Sequence, residues 1–190
     1  MDYRSVNPAG VEWSIWSRGQ PVPRLPGGAR VQVQTPLCGV RVSSAGSGMY
    51  RIDMALRPDV PVHAEFNQWV CDIEDGASGA VELAEWRGSR SRSTSVYNNS
   101  MRLMAFSDTL AFDAAGSLSA HLMDAAGAAC IIELSGLWNN DSRWGLRWKI
   151  VQVKFQTDAP TFPTAVAFVQ EEETKRDCGA ANGFAFVEDA

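Results

Sequence analysis

Two stretches of the sequence set cations beside aromatic rings. The first, from Trp86 to Ser107, holds Trp86, Arg87, Arg90, Arg92, Tyr97, Arg102 and Phe106 without one Asp or Glu. The second, from Trp138 to Phe155, holds Trp138, Arg143, Trp144, Arg147, Trp148, Lys149 and Lys154 against the single acid Asp141. Guanidinium and ammonium groups neutralise phosphates and release their counterions, and exposed ring faces stack on unpaired bases for about 1–3 kcal/mol per base. Both partners together are what a single strand of nucleic acid needs. Alternation along a strand from Leu146 sends Leu146, Trp148 and Ile150 to one face and Arg147, Lys149 and Val151 to the other. Trp148 is then expected in the core, with Arg147 and Lys149 outward. Trp138 and Trp144 flank an Asn-Asn-Asp-Ser turn and are expected as base platforms, with Tyr97 and Trp86 beside them.

Other chemistries lack their residues. The sequence has no glycine-rich phosphate loop and no dinucleotide fingerprint. Only His63 and His121 could serve a nucleophile as base, each inside a segment whose main signal is helix or strand. The carboxylates Glu74 with Asp75 and Glu82 with Glu85 read as the solvated face of a helix. Cys38, Cys71, Cys130 and Cys178 lie far apart without ligand spacing, so they read as free thiols, with no zinc or other metal and no cofactor expected. No catalytic set emerges, and the expectation is a protein that binds rather than catalyses.

The elements that must position these residues are mostly strands. Val31 and Val33 alternate with Arg30, Gln32 and Gln34, and Tyr50, Ile52, Met54 and Leu56 alternate with Arg51 and Asp53. Further strands are predicted at Met101 to Phe106, Ser117 to Met123, Ala129 to Leu137, Leu146 to Phe155 and Thr164 to Val169. Phe66, Val70 and Ile73 recur at helical spacing within His63 to Asp75, and a second short helix is predicted from Gly79 to Trp86. Residues 1–29, rich in Pro and Gly, read as an extended leader with one short strand near Val11 to Trp16. Five or more strands and one inserted helix fit a small five-stranded antiparallel barrel of the OB type and equally a two-sheet sandwich. Pattern leaves the two open.

A chain of 190 residues with 45% apolar and 21% charged content is an ordinary globular composition. It shows neither a membrane-length apolar run nor a secretory leader, so an intracellular site is expected. The net charge of −5 is unevenly placed. Residues 171–190 carry six acids against Lys175 and Arg176, a net −4, which leaves −1 for the rest. A nucleic-acid-binding domain over 30–170 and an acidic C-terminal tail over 171–190 are the expected divisions. The tail, with Glu171, Glu172, Glu173, Phe184, Phe186, Glu188 and Asp189, can occupy a basic groove or dock an aromatic tip on partner proteins.

Certain short motifs resemble the OB-fold single-stranded DNA-binding proteins shared by tailed phages and nucleocytoplasmic large DNA viruses. One is Gly136-Leu137-Trp138, followed after the turn by Trp144-Gly145-Leu146-Arg147-Trp148-Lys149-Ile150-Val151-Gln152-Val153-Lys154; another is Gln34-Thr35-Pro36 leading to Tyr50-Arg51-Ile52-Asp53-Met54. The terminal Phe and acidic residues look like that family's tail, although the last residue here is Ala190 rather than an aromatic. The resemblance implies an OB barrel and sequence-tolerant binding of single-stranded DNA in viral replication or recombination, within the infected cell. It also implies tail contacts with polymerase, primase or helicase. The rival expectation is a structural β-sandwich, a minor capsid or scaffold component, whose tryptophans pack a core or an interface. The sequence does not choose DNA over RNA or a monomer over a homodimer.

Overall fold

The computed structural model describes residues 1–15, 19–95, 99–119, 125–140 and 142–157. Two 3-10 turns, Tyr3–Ser5 and Pro8–Gly10, are capped by the side chains of Asp2 and Asn7. The strands and helices then run β1 (Glu12–Ile15), β2 (Pro21–Arg24), β3 (Gln32–Gln34), β4 (Cys38–Gly46), β5 (Met49–Ala55), α1 (Pro61–Gly76) and α2 (Ser78–Leu83). They continue β6 (Ser89–Arg90), β7 (Thr94–Ser95), β8 (Ser100–Ala105), β9 (Leu110–Phe112), β10 (Gly127–Asn139) and β11 (Arg143–Gln156). The fold is mostly β.

Strand β4 pairs with β5, β5 with β8, β8 with β11 in parallel, β11 with β10, and β10 with the start of β4, so this set of pairings returns to its origin. Strand β11 also takes β6 and β9 as parallel neighbours. The alternation of apolar residues dictates what faces inward: Ile52 and Met54 of β5, Met101, Leu103 and Ala105 of β8, and Leu146, Trp148 and Ile150 of β11 are all buried in one core. Two register shifts in the long β10–β11 hairpin change that parity. An extra Val151 on β11 moves the inward set to Val153 and Phe155, and an extra Ser135 on β10 moves it from Leu134 to Leu137.

Helix α1 begins with Pro61 in its first turn, where a missing N–H costs nothing, and buries His63, Phe66, Val70 and Ile73 at helical spacing. The predicted helices are both present. Near the start of the chain, β1 lies where one short strand is expected and pairs with β2, and the two tight turns before it bring Tyr3 and Val6 into the core. Tyr3 packs edge-on to Phe66 at 5.1 Å, and Trp69 donates its indole N–H to the Val6 carbonyl at 2.8 Å while its ring lies 6.1 Å from that of Trp148. Aromatic burial on this scale offsets the ordering of a Pro- and Gly-rich segment that composition alone presents as loose.

Candidate functional site

The outward side of the sheet collects charge because the inward side is apolar. On β5, Arg51 and Asp53 alternate with buried Ile52 and Met54; on β8, Arg102 and Met104, with Phe106 just past its end, alternate with buried Met101, Leu103 and Ala105. Register then aligns them. Asp53 stands between Arg41 of β4 and Arg102 of β8. Arg51 stands between Ser43 and Met104, Met104 is opposite Lys149 of β11, and Lys149 is opposite Glu133 of β10. Arg147 follows the same outward parity as Lys149 and is exposed. Arg102 donates to Asp53 at 2.7 Å, and Lys149 donates to Asp108, on the turn after β8, at 2.8 Å. Phe106 is 39% exposed on this face, two residues from Asp108.

A second cluster forms where the β10–β11 turn meets the arginine-rich segment. The Ser89 N–H donates to the Ser142 carbonyl at 3.0 Å, the Ser91 N–H donates to the Trp144 carbonyl at 2.6 Å, and β6 pairs in parallel with Arg143 and Trp144. Gly88 allows this approach, since it adopts φ +112 and a Cβ there would lie 2.5 Å from the Ser142 carbonyl. The half-buried Trp138 ring lies over Gly145, where a Cβ would come within 3.0 Å of the indole. Arg87 and Arg143 are exposed beside this turn. The segment is tied down behind by Ser93, whose N–H donates to the buried Glu74 carboxylate and whose hydroxyl accepts the Trp148 indole N–H at 3.1 Å.

The two predicted stretches therefore meet, but their members divide. Arg87, Arg143 and Arg147 are exposed, and, like Arg41 and Arg51, make no ion pair among the described residues. Arg90 is paired with Asp75 and Arg92 lies 3.8 Å from the Cys71 sulfur, so both are turned toward α1. Arg102 and Lys149 are outward but already paired with carboxylates. Trp86 is half-buried against the core. Lys154, outward and near the far end of β11, is some 11 residues from Arg143, about 36 Å along an extended strand. Tyr97 and the tail residues Glu171, Glu172, Glu173, Phe184, Phe186, Glu188 and Asp189 lie outside the described residues.

Trp144 is a correction. It is only 5% exposed and belongs to the core, so its ring is not offered to a base. The reason is that β11 begins at Arg143 rather than Leu146, which places Trp144 in the same inward series as Leu146 and Trp148. Arg41 and Arg51 are outward cations beyond the two cation-aromatic stretches, and Phe106, within the first stretch, is an exposed ring not among the expected base platforms. For Arg51 and Phe106 the signal was present, since alternation from Ile52 and from Met101 sends both outward; Arg41 needed the β4–β5 register.

His63 is spent on structure. It is 1% exposed, its Nδ1 accepts the Arg57 N–H at 3.1 Å, and its Nε2 lies 2.9 Å from the Leu37 carbonyl, which fixes the neutral Nε2–H tautomer. Cys130 is fully buried, and burial pushes its thiol up to about 12. Among the described residues no group of three His, Cys, Asp or Glu is placed to hold a metal ion, and no helix is long and apolar enough to cross a membrane.

No protein-family model matches the sequence, and no curated protein matches it either. Solved structures do. The fold is similar to that of gp2.5, a single-stranded DNA-binding protein encoded by bacteriophage T7, with a TM-score of 0.53 at 12% identity over 71% of this chain and 90% of that one. It is also similar to the single-stranded DNA-binding protein from bacteriophage Enc34, with a TM-score of 0.50 at 11% identity over 80% of this chain and 93% of that one. At such identities the likeness is one of fold.

Proposed function

We propose that the chain is a non-enzymatic, sequence-tolerant single-stranded DNA-binding protein acting in viral DNA replication or recombination within the infected cell. The observation that carries the proposal is the outward face of β4, β5, β8 and β11, where Arg41, Arg51 and Arg147 stand without carboxylate partners among the described residues and Phe106 offers an exposed ring. The returning set of five strand pairings supports reading the domain as an OB-type barrel with α1 inserted between its second and third strands. Barrels of that type bind oligonucleotides on the face of strands two and three and in the loops after strands one and four. Counted from β4, those strands are β5 and β8, and the loops are the turn at Gly46 to Gly48 and the turn at Asn139 to Ser142. The fold shared with two phage proteins that bind single-stranded DNA supports the same reading.

On this proposal the strand's phosphates follow Arg41, Arg51, Arg147, Arg143 and Arg87, and bases stack on Phe106 and Trp138. Residues 171–190 form a separate acidic tail that competes for the face and meets polymerase, primase or helicase. Titration with oligo-dT, followed by tryptophan emission, tests the proposal. Saturable binding that weakens with salt is expected, and absence of binding at low salt overturns it. A chain ending at residue 170 is expected to bind more tightly, and unchanged affinity would remove the tail from the picture.

A further inference from the structure

Two of the carboxylates on this face are hydrogen-bonded to its cations, whereas Glu133, opposite Lys149 on β10, accepts instead from Arg30 and Gln32. Asp53 lies in register between Arg41 and Arg102 and accepts the Arg102 Nε–H at 2.7 Å. Asp108, on the exposed turn between β8 and β9, accepts from the Lys149 ammonium at 2.8 Å, a hydrogen bond that holds its carboxyl below the usual carboxylate range. Solvated pairs of this kind add little to folding stability, so the fold does not require them. A carboxylate oxygen offers a cation the same acceptor that a phosphodiester oxygen offers.

Resting on the binding reading above, we infer that Asp53 and Asp108 are internal competitors for phosphate, holding Arg102 and Lys149 in the unbound protein and limiting affinity for single-stranded DNA. A phosphate arriving at either cation meets a carboxylate already hydrogen-bonded to it. The strand then displaces the carboxylate or shares the cation with a like charge beside it. Either way the paired cation contributes little net counterion release, whereas Arg41, Arg51 and Arg147 contribute fully. The two acids thus set an upper limit on residence time without touching any base, which keeps the effect independent of sequence.

The test uses the full chain carrying Asp53→Asn, Asp108→Asn or both, with oligo-dT as the probe and affinity measured from 50 to about 300 mM salt. Each substitution is expected to tighten binding roughly 5-fold at 0.1 M salt and to steepen the slope of log K against log salt by about 0.7, the value for one additional phosphate contact on a single strand. Asp72→Asn, which makes the same change in net charge on the exposed side of α1, is the control and should move neither quantity. Unchanged or weaker binding by both variants, in a protein that itself binds oligo-dT, overturns the inference and leaves the binding reading intact. Equal tightening by Asp72→Asn also overturns it, because net charge would then be the cause. Failure of the unsubstituted chain to bind removes the binding reading itself. Thermal melting of each variant confirms that the fold is retained.

Discussion

Replacing Arg51 and Arg147 with alanine isolates the electrostatic part of the proposed interface. Both are exposed on the outward face and unpaired among the described residues, so neither substitution leaves a buried charge behind. Arg41, Arg51, Arg87, Arg143 and Arg147 are the cations of the interface in that condition. With about 0.7 per phosphate on a single strand, five contacts give a slope of log K against log salt near −3.5. Each cation removed should bring the slope back by about 0.7 and, at 0.1 M salt, cost about 5-fold in affinity, or ~1 kcal/mol. The double variant is then expected near −2.1, with affinity lower by about 25-fold. The assay is oligo-dT titration by anisotropy at four or more salt concentrations, with circular dichroism confirming the fold. Arg90→Ala is the internal comparison, because its guanidinium is engaged with Asp75 and turned to α1. A loss of slope with Arg90→Ala as large as that with Arg51→Ala would rule out the outward face as the interface, since location on it would then count for nothing.

Phe106→Ala should weaken oligo-dT binding by about 1–3 kcal/mol at little cost in stability, whereas Trp144→Ala should lower the melting temperature instead; titrations and melts on both variants separate the roles. Gly88→Ala forces a side chain into positive φ and against the Ser142 carbonyl, so a loss of about 2–4 kcal/mol in denaturant unfolding is expected; an unchanged midpoint would contradict the close approach of β6 to the turn. Burial pushes the Tyr3 phenol up to about 12 from 10.0. The folded pKa is above the unfolded one, so this contribution is complete below pH about 10 and lost as pH rises through about 12. Melting temperature should fall over that window, and less steeply in Tyr3→Phe.

Much of this arrangement was legible in residue order, because period-two alternation reports which face is buried without reference to any neighbour. Ile52 against Arg51, Met101 against Arg102 and Trp148 against Arg147 are all placed by that rule alone. The rule failed where an element boundary or a bulge intervened. Nothing local to Trp144 announces that β11 has already begun, and the extra Ser135 and Val151 reverse parity without a distinctive residue type. Pairings between distant segments were beyond reach for a different reason. The Arg102–Asp53 pair spans 49 residues and the Lys149–Asp108 pair spans 41, so the neutralisation of those two cations depends on which strands become neighbours. The helix periodicity of α1 is plain, but helical spacing presents Glu74 as part of a solvated face, whereas its side chain turns inward to the Ser93 N–H.

Strand β11 touches β6, β8, β9 and β10, yet it lies after all of them in the chain. On a ribosome, β6, β8, β9 and β10 would therefore each wait with an unpaired edge until residues 143–156 emerge, a nonlocal closure of the kind that slows folding. Chains interrupted just before Arg143 would be the species most exposed to aggregation and proteolysis, and one just past Gln156 the shortest able to complete the strand pairing of the described residues.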